Sequence, residues 1–295
     1  TKPDAVYING NKKDIVNNTY NFNETNNIIE LIWNDDVKSC VNMFMGCSNI
    51  KEMNLSNFDT SKVENMKYMF KGCSALEKLI LTNFNTEKVK NMDYMFCGCS
   101  KLSELNLNKF NTSQVTSMSH MFFGCSNLLL LDLSNFNTSI VRNMDSLFNG
   151  CSLLSSLNLN NFNTSLIENM RYFFADCISL TSLNLSSFDT SNVINITSIF
   201  RGCKYLKSLD ISNWDFSKIT YSIDIFHELA TITDIRMVNA NIYNILNATQ
   251  LFSNLETLSS LDISYLNISS TTNLDCMFCD CFNLQIINLS DIDAS

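Results

Sequence analysis

Apolar and polar positions along this chain recur every 26 residues, without insertion or deletion, from about Val37 almost to the last residue. Cys47, Cys73, Cys99, Cys125, Cys151, Cys177 and Cys203 fall in one register, Leu229 and Leu255 take the next two places, and Cys281 resumes it. Phe is stricter still, standing at 44, 70, 96, 122, 148, 174, 200, 226, 252 and 278. A period of this length marks a chain of stacked supersecondary units.

Within one unit, Leu76-x-x-Leu79-x-Leu81-x-x-Phe84-x-Thr86 alternates apolar and polar residues, the pattern of a short strand with one buried face. Val89, Met92, Met95 and Phe96 then follow at i, i+3, i+6 and i+7, which predicts a short helix. Asn85-Thr86 and Asn111-Thr112-Ser113 read as N-caps whose side-chain oxygens accept from first-turn N–H groups. Gly72, Gly98, Gly124, Gly150 and Gly202 end the stripe where a left-handed residue is needed, with Asp176, Glu228, Asn254 and Asp280 in the same place elsewhere. One unit cannot bury its own stripe. Stacking about ten of them at ~4.8 Å per strand forms a continuous core on the order of 50 Å long.

These residues carry a family resemblance. Leu102-x-x-Leu105-x-Leu107-x-x-Phe110-Asn111-Thr112-Ser113-x-Val115-x-x-Met118-x-x-Met121-Phe122-x-Gly124-Cys125-Ser126 resembles the BspA-like leucine-rich-repeat surface proteins of bacteria, mycoplasmas and anaerobic protists. The likeness extends from about Val37 to Ala294. It implies an exported or surface-displayed protein, several relatives being adhesins, and supplies no catalytic residue or cofactor to carry over. The expected fold is an α/β repeat solenoid: a right-handed, leucine-rich-repeat-like arc with one short strand and one short helix per turn. Residues 214–257 depart from the pattern, since Trp214 to Thr231 and Ala240 to Thr257 lose the Gly-Cys pair and the Thr-Ser turn.

Residues 1–36 do not repeat and read as a capping segment. Asn9-Gly10 predicts a hairpin, and Ile28 to Trp33 the first solenoid strand. Residues 37–295 form the solenoid, and the consensus unit that ends at Ser295 without a polar cap leads us to expect a truncated chain. Opening at Thr1 without Met likewise suggests a processed or trimmed chain. One Pro, seven Gly and no charge run leave no linker, so the 295 residues form one body. A net charge of -9 excludes nucleic acid as a main partner, because such binding rests on Lys and Arg. No apolar run approaches the ~18 residues that a membrane span needs.

The chemistry-bearing residues mostly fall inside the repeat. Eight cysteines occupy one buried-looking corner and read as free thiols packing like small apolar side chains. Cys276-x-x-Cys279-x-Cys281 has ligand-like spacing but no fourth ligand, so no metal is expected. The column Met66, Met92, Met118, Met144 and Met170 reads as core. His120 and His227 are the only histidines, and Thr231 stands where a zinc-protease helix beginning at His227 would need its second one. No nucleophile elbow or phosphate-cradling loop is present, so neither catalysis nor a cofactor is expected.

Function is then expected on the surface. The outward residues of the strands are Asn54, Ile80, Asn106, Asp132, Asn158, Asn184, Asp210, Arg236 and Asp262, with Tyr265 beside them and a second row from Ser56 to Ser290. They read either as a concave docking face or as solvated residues with Asn side chains bonded to one another in a ladder. Acceptor sequons stand at Asn17, Asn23, Asn54, Asn111, Asn137, Asn163, Asn184, Asn195, Asn247, Asn267 and Asn288, although an Asn- and Ser-rich repeat also generates such triplets by composition. The leading expectation is an extracellular or cell-surface protein that binds a protein or glycan on a host or neighbouring cell. The alternatives are a coat or filament built from copies of itself and, more remotely, an ice- or crystal-binding face.

Overall fold

A computed structural model of the chain describes residues 2–14, 27–220, 224–240, 249–264 and 272–288. Strands β1 (Ala5–Ile8) and β2 (Asn11–Lys13) form the expected antiparallel hairpin. Asn9 and Gly10, at φ 50° and 78°, supply the two left-handed residues that its tight turn requires. Strand β3 (Ile29–Ile32) pairs antiparallel with the other edge of β1, giving the order β2-β1-β3. It belongs to this small sheet and is not the first solenoid strand. Alternating apolar residues read alike in either strand direction, and only the partner decides. Trp33 then packs edge-on against Phe58 at 5.0 Å and joins the sheet to the repeats.

Each solenoid strand is three residues long: β4 (Glu52–Asn54), β5 (Lys78–Ile80), β6 (Ser182–Asn184), β7 (Ser208–Asp210), β8 (Asp234–Arg236), β9 (Ser260–Asp262) and β10 (Ile286–Asn288). Partners are parallel and one repeat apart, as in Met53 with Leu79 and Leu183 with Leu209 and then Ile235. The wall is not continuous. Between β5 and β6 it thins to the single bridge Glu104–Leu130, and β8 and β9 belong to different sheets.

The expected helix is replaced by a second wall of stacked turns. Met66, Tyr68, Phe70 and Gly72 donate their N–H groups across to Asn91, Asp93, Met95 and Cys97 of the next repeat at 2.7–3.0 Å. Met69, Lys71 and Cys73 donate instead to the carbonyls three residues back, Met66, Tyr68 and Phe70, at 3.1–3.2 Å. A helix would need all these groups for i−4 bonds within the turn. Spacing apolar residues by three fits a run of β-turns as well as it fits a helix. Parallel bridges Asn65–Asn91–Ser117–Asn143–Asn169–Asn195 continue this wall where the strand wall thins. The fold is therefore a β-solenoid.

Between the walls, Phe44 to Phe278 stack in one column with centroids 5.3–6.3 Å apart and planes within 17° of parallel. The five methionines of the Met column are fully buried beside them. Trp214 replaces Phe in a second column, and its indole N–H donates to the Leu185 carbonyl at 3.0 Å. The Asn-Thr pairs are not helix caps. Thr60, Thr86, Thr112, Thr138, Thr164 and Thr190 are buried, and each hydroxyl donates to a carbonyl of the next repeat at 2.8–2.9 Å. Each also accepts the N–H of that same residue, at 2.7–2.8 Å. The neighbouring Asn or Asp oxygen bonds the N–H two residues on, as Asn111 does with Ser113 at 3.0 Å.

Candidate functional site

The outward strand positions reach solvent largely as expected. Asn54, Asn106, Asp132, Asn158, Asn184, Arg236 and Asp262 are exposed, Ile80 and Asp210 are half-buried, and Tyr265 lies outside the described residues. Among the described residues these side chains bond chiefly to their own backbone rather than to one another. Asn54, Asn106, Asp132, Asn158, Asn184, Asp210 and Asp262 each accept the N–H two residues further on at 2.9–3.1 Å. Asn and Asp oxygens make that turn better than a hydroxyl does, which accounts for the recurrence of Asn and Asp. Hydrogen bonds from Ser134 hold the Asp132 carboxyl below its ordinary range, and those from Ser264, with Asn288 adding a third, do the same for Asp262. In the second row Ser212 and Ser264 are buried, so that row is not uniformly outward.

One place on this face differs from the rest. Where β8 and β9 part, Arg236, Asp262 and Val238 line a shallow depression of about 150 Å³ whose floor is Ile235 and Met237. Val238 stands 48% exposed in a row otherwise made of Ser, Thr and Asn. A cation, an anion and an apolar side chain thus meet within one gap of the wall. Ile235, Arg236, Met237 and Val238 lie within residues 214–257, which depart from the repeat pattern, and Asp262 lies just beyond them.

The sequons divide. Asn54, Asn111, Asn137, Asn163, Asn184 and Asn288 are exposed. Asn195 is half-buried, bridged to Asn169 in the turn wall and bonded to the Thr197 N–H at 2.9 Å, which disfavours a glycan there. Asn17, Asn23, Asn247 and Asn267 lie outside the described residues. All twelve cysteines are unpaired. The ladder thiols of Cys73, Cys99, Cys125, Cys151, Cys177 and Cys203 each donate to the carbonyl of a column Phe at 3.1–3.3 Å. Burial pushes Cys73, Cys151 and Cys203 up to about 12, far from the thiolate form. Among the described residues, no three His, Cys, Asp or Glu side chains converge as metal ligands.

A polar column on the turn wall was not anticipated. Lys67 pairs with Asp93 at 3.4 Å, and Arg171 with Asp145 at 3.0 Å, across neighbouring repeats. Partial burial lowers the Lys67 pKa, but the charge of Asp93 and its hydrogen bond outweigh that and leave it raised. Beside them Tyr68 meets Tyr94 tilted at 5.0 Å and Tyr94 stacks on His120 at 4.3 Å, all three with positive φ. Reading 67, 93, 119, 145 and 171 as one register, Lys-Asp-Ser-Asp-Arg, would have exposed this column in the sequence.

Ser119 and His120 are the pair most like a catalytic dyad. Ser119 Oγ lies 2.7 Å from His120 Nδ1 and 3.3 Å from the Asp145 carbonyl. The one hydroxyl proton goes either to the carbonyl or to an unprotonated Nδ1, and the tautomer of His120 decides which. Ser119 is buried, so its hydroxyl is not presented to solvent. Desolvation, the largest influence, lowers the His120 pKa and favours the neutral ring.

Two parallel walls around stacked Phe, Cys and Met columns define a repeat solenoid. The chain belongs to the family described as Mycoplasma protein of unknown function, DUF285, which it matches over residues 38–156, 123–236 and 224–295. Among solved structures it is similar to a leucine-rich-repeat protein from Bacteroides ovatus, at 20% identity over 93% of this chain and 88% of that one, with a TM-score of 0.33. It is similar to a leucine-rich cell surface protein from Faecalibacterium prausnitzii, at 15% identity over 83% and 84%, TM-score 0.31. A leucine-rich-repeat protein of Leptospira interrogans shares 15% identity over 80% of this chain and 55% of that one, TM-score 0.34. No curated protein matches the chain. Among the described residues no helix is long and apolar enough to cross a membrane.

Proposed function

We propose that this chain is a non-enzymatic, BspA-like leucine-rich-repeat protein, secreted or displayed at the cell surface, that binds a protein or glycan on a host or neighbouring cell through its strand face. The observation that carries this reading is the gap between β8 and β9. There Arg236, Asp262 and Val238 surround a shallow depression on an otherwise small, polar surface. Arg is over-represented among residues that dominate binding energy, and an apolar side chain beside opposite charges can orient a polar ligand. The Asn and Asp side chains of the face, Asp262 among them, are committed to their own backbone, which makes a pre-ordered rim beside Arg236 and Val238.

The test has two arms. Impermeant biotin on intact source cells should label the chain, and labelling only after lysis would overturn the location. On a glycan array and in adhesion to host-cell monolayers, Arg236→Ala and Asp262→Ala should each lower binding at least tenfold, while Asn106→Ala should not. Equal loss in all three, or in none, would overturn the placement of the site.

A further inference from the structure

We propose that Cys276 and Cys279 form a reversible intramolecular disulfide, a thiol modification site on the turn wall separate from the buried cysteine ladder. The two residues occupy the first and fourth places of a turn, with the Cys279 N–H donating to the Cys276 carbonyl at 3.1 Å. Turn closure of that kind holds the Cα atoms under about 7 Å, a span a disulfide bridges. Cys276 is exposed, Cys279 is partly exposed, and the two thiols share a hydrogen bond.

Independent support comes from the same two places in other repeats. In the register of 276 and 279, the Lys71 Nζ lies 5.1 Å from the ring centre of Tyr68, and His120 and Phe123 rings meet at 5.6 Å. The closing bond recurs too, from Lys71 to Tyr68 at 3.1 Å, Phe123 to His120 at 3.1 Å and Ser253 to Gln250 at 3.1 Å. Side chains at these places are therefore brought together by the wall itself. Cys276, at φ 55°, keeps the left-handed conformation that Tyr68, Tyr94 and His120 share, so the turn holding the pair is the regular one.

The ladder thiols lack this chemistry. Each is buried or half-buried, and those from Cys73 onward donate to a Phe carbonyl, as Cys281 does to Phe252 at 2.9 Å, so the attacking thiolate is suppressed. At the turn, the Cys276 thiolate attacks one sulfur of a low-molecular-weight disulfide such as oxidised glutathione and expels one glutathione thiol. Cys279, whose thiol is held up to about 11 first by its hydrogen bond with Cys276, loses its proton and attacks the mixed disulfide. The second glutathione leaves. The protein has lost two protons and two electrons, and the glutathione disulfide has been reduced to two thiols.

The experiment treats the reduced, native full-length chain with oxidised glutathione, quenches it with an alkylating agent in denaturant, and maps every cysteine by mass spectrometry. The expected product carries the Cys276–Cys279 cross-link and ten alkylated cysteines out of the twelve. Cys279→Ser should stop at a stable glutathione adduct on Cys276, and Cys276→Ser should leave Cys279 without a cross-link. Both variants keep the fold, since Ser253 stands at the place of 279 and Ser146 and Ser198 at that of 276. A glutathione adduct that persists on wild-type Cys276, two free thiols, or a cross-link to any other cysteine would overturn the proposal.

Discussion

Thr138→Val removes one oxygen and almost no volume, and we expect it to cost about 2–4 kcal/mol. Thr138 is buried, and its hydroxyl donates to the Asn163 carbonyl at 2.8 Å while accepting the Asn163 N–H at 2.8 Å. A single side chain thus satisfies both backbone groups of a residue in the next repeat. Valine leaves both unpaired, at about 1–3 kcal/mol each, offset by roughly 0.8 kcal/mol from the extra buried methyl. Thr138→Ser keeps the oxygen and loses the methyl, for about 1 kcal/mol. Urea unfolding followed by circular dichroism, with Trp33 and Trp214 emission as local reporters, measures both variants. The midpoint should fall further for Val than for Ser at unchanged slope. If Ser proves the worse substitution, or Val lies within about 0.5 kcal/mol of wild type, the hydroxyl does not link the repeats.

Phe122→Ala should cost about 3–5 kcal/mol, because the ring is fully buried between Phe96 at 5.9 Å and Phe148 at 5.8 Å. Since repeats couple mainly to their neighbours, the Trp33 and Trp214 transitions in urea should also separate, and coincident curves would contradict a nearest-neighbour solenoid. Gly150→Ala should destabilise more than Gly46→Ala. Both glycines have φ 75°, but an added Cβ at 150 would sit 3.3 Å from Gly124 Cα, whereas at 46 it meets nothing within 4 Å. His120→Gln tests the pH dependence. The folded pKa of His120 lies below the ordinary 6.5, so the unfolded chain takes up the proton first as pH falls. Stability present above about pH 6.5 is therefore lost as pH falls through the folded value, and the Gln variant should lose less between about pH 7 and 5 in paired melts.

The 26-residue spacing was enough to establish that the chain is layered and that Phe, Met and ladder Cys lie inside, because identical registers can share a core only by stacking. It also marked the outward Asn and Asp positions and the left-handed glycines, since alternation and missing Cβ atoms are local properties. Residues 214–257 stood out by losing the pattern, yet nothing in the letters indicated that β8 and β9 part there.

Helix or turn wall was beyond local reading. Val89, Met92 and Met95 suit either one, and the choice is made by N–H groups that bond a carbonyl 25 residues on, a partner that exists only once the layers meet. The same holds for Thr138, whose hydroxyl reads as a cap until the next repeat is in place, and for β3, whose direction depends on β1. Periodicity determined which residues face inward. Stacking decided what each polar group bonds, because those partners lie a full repeat away.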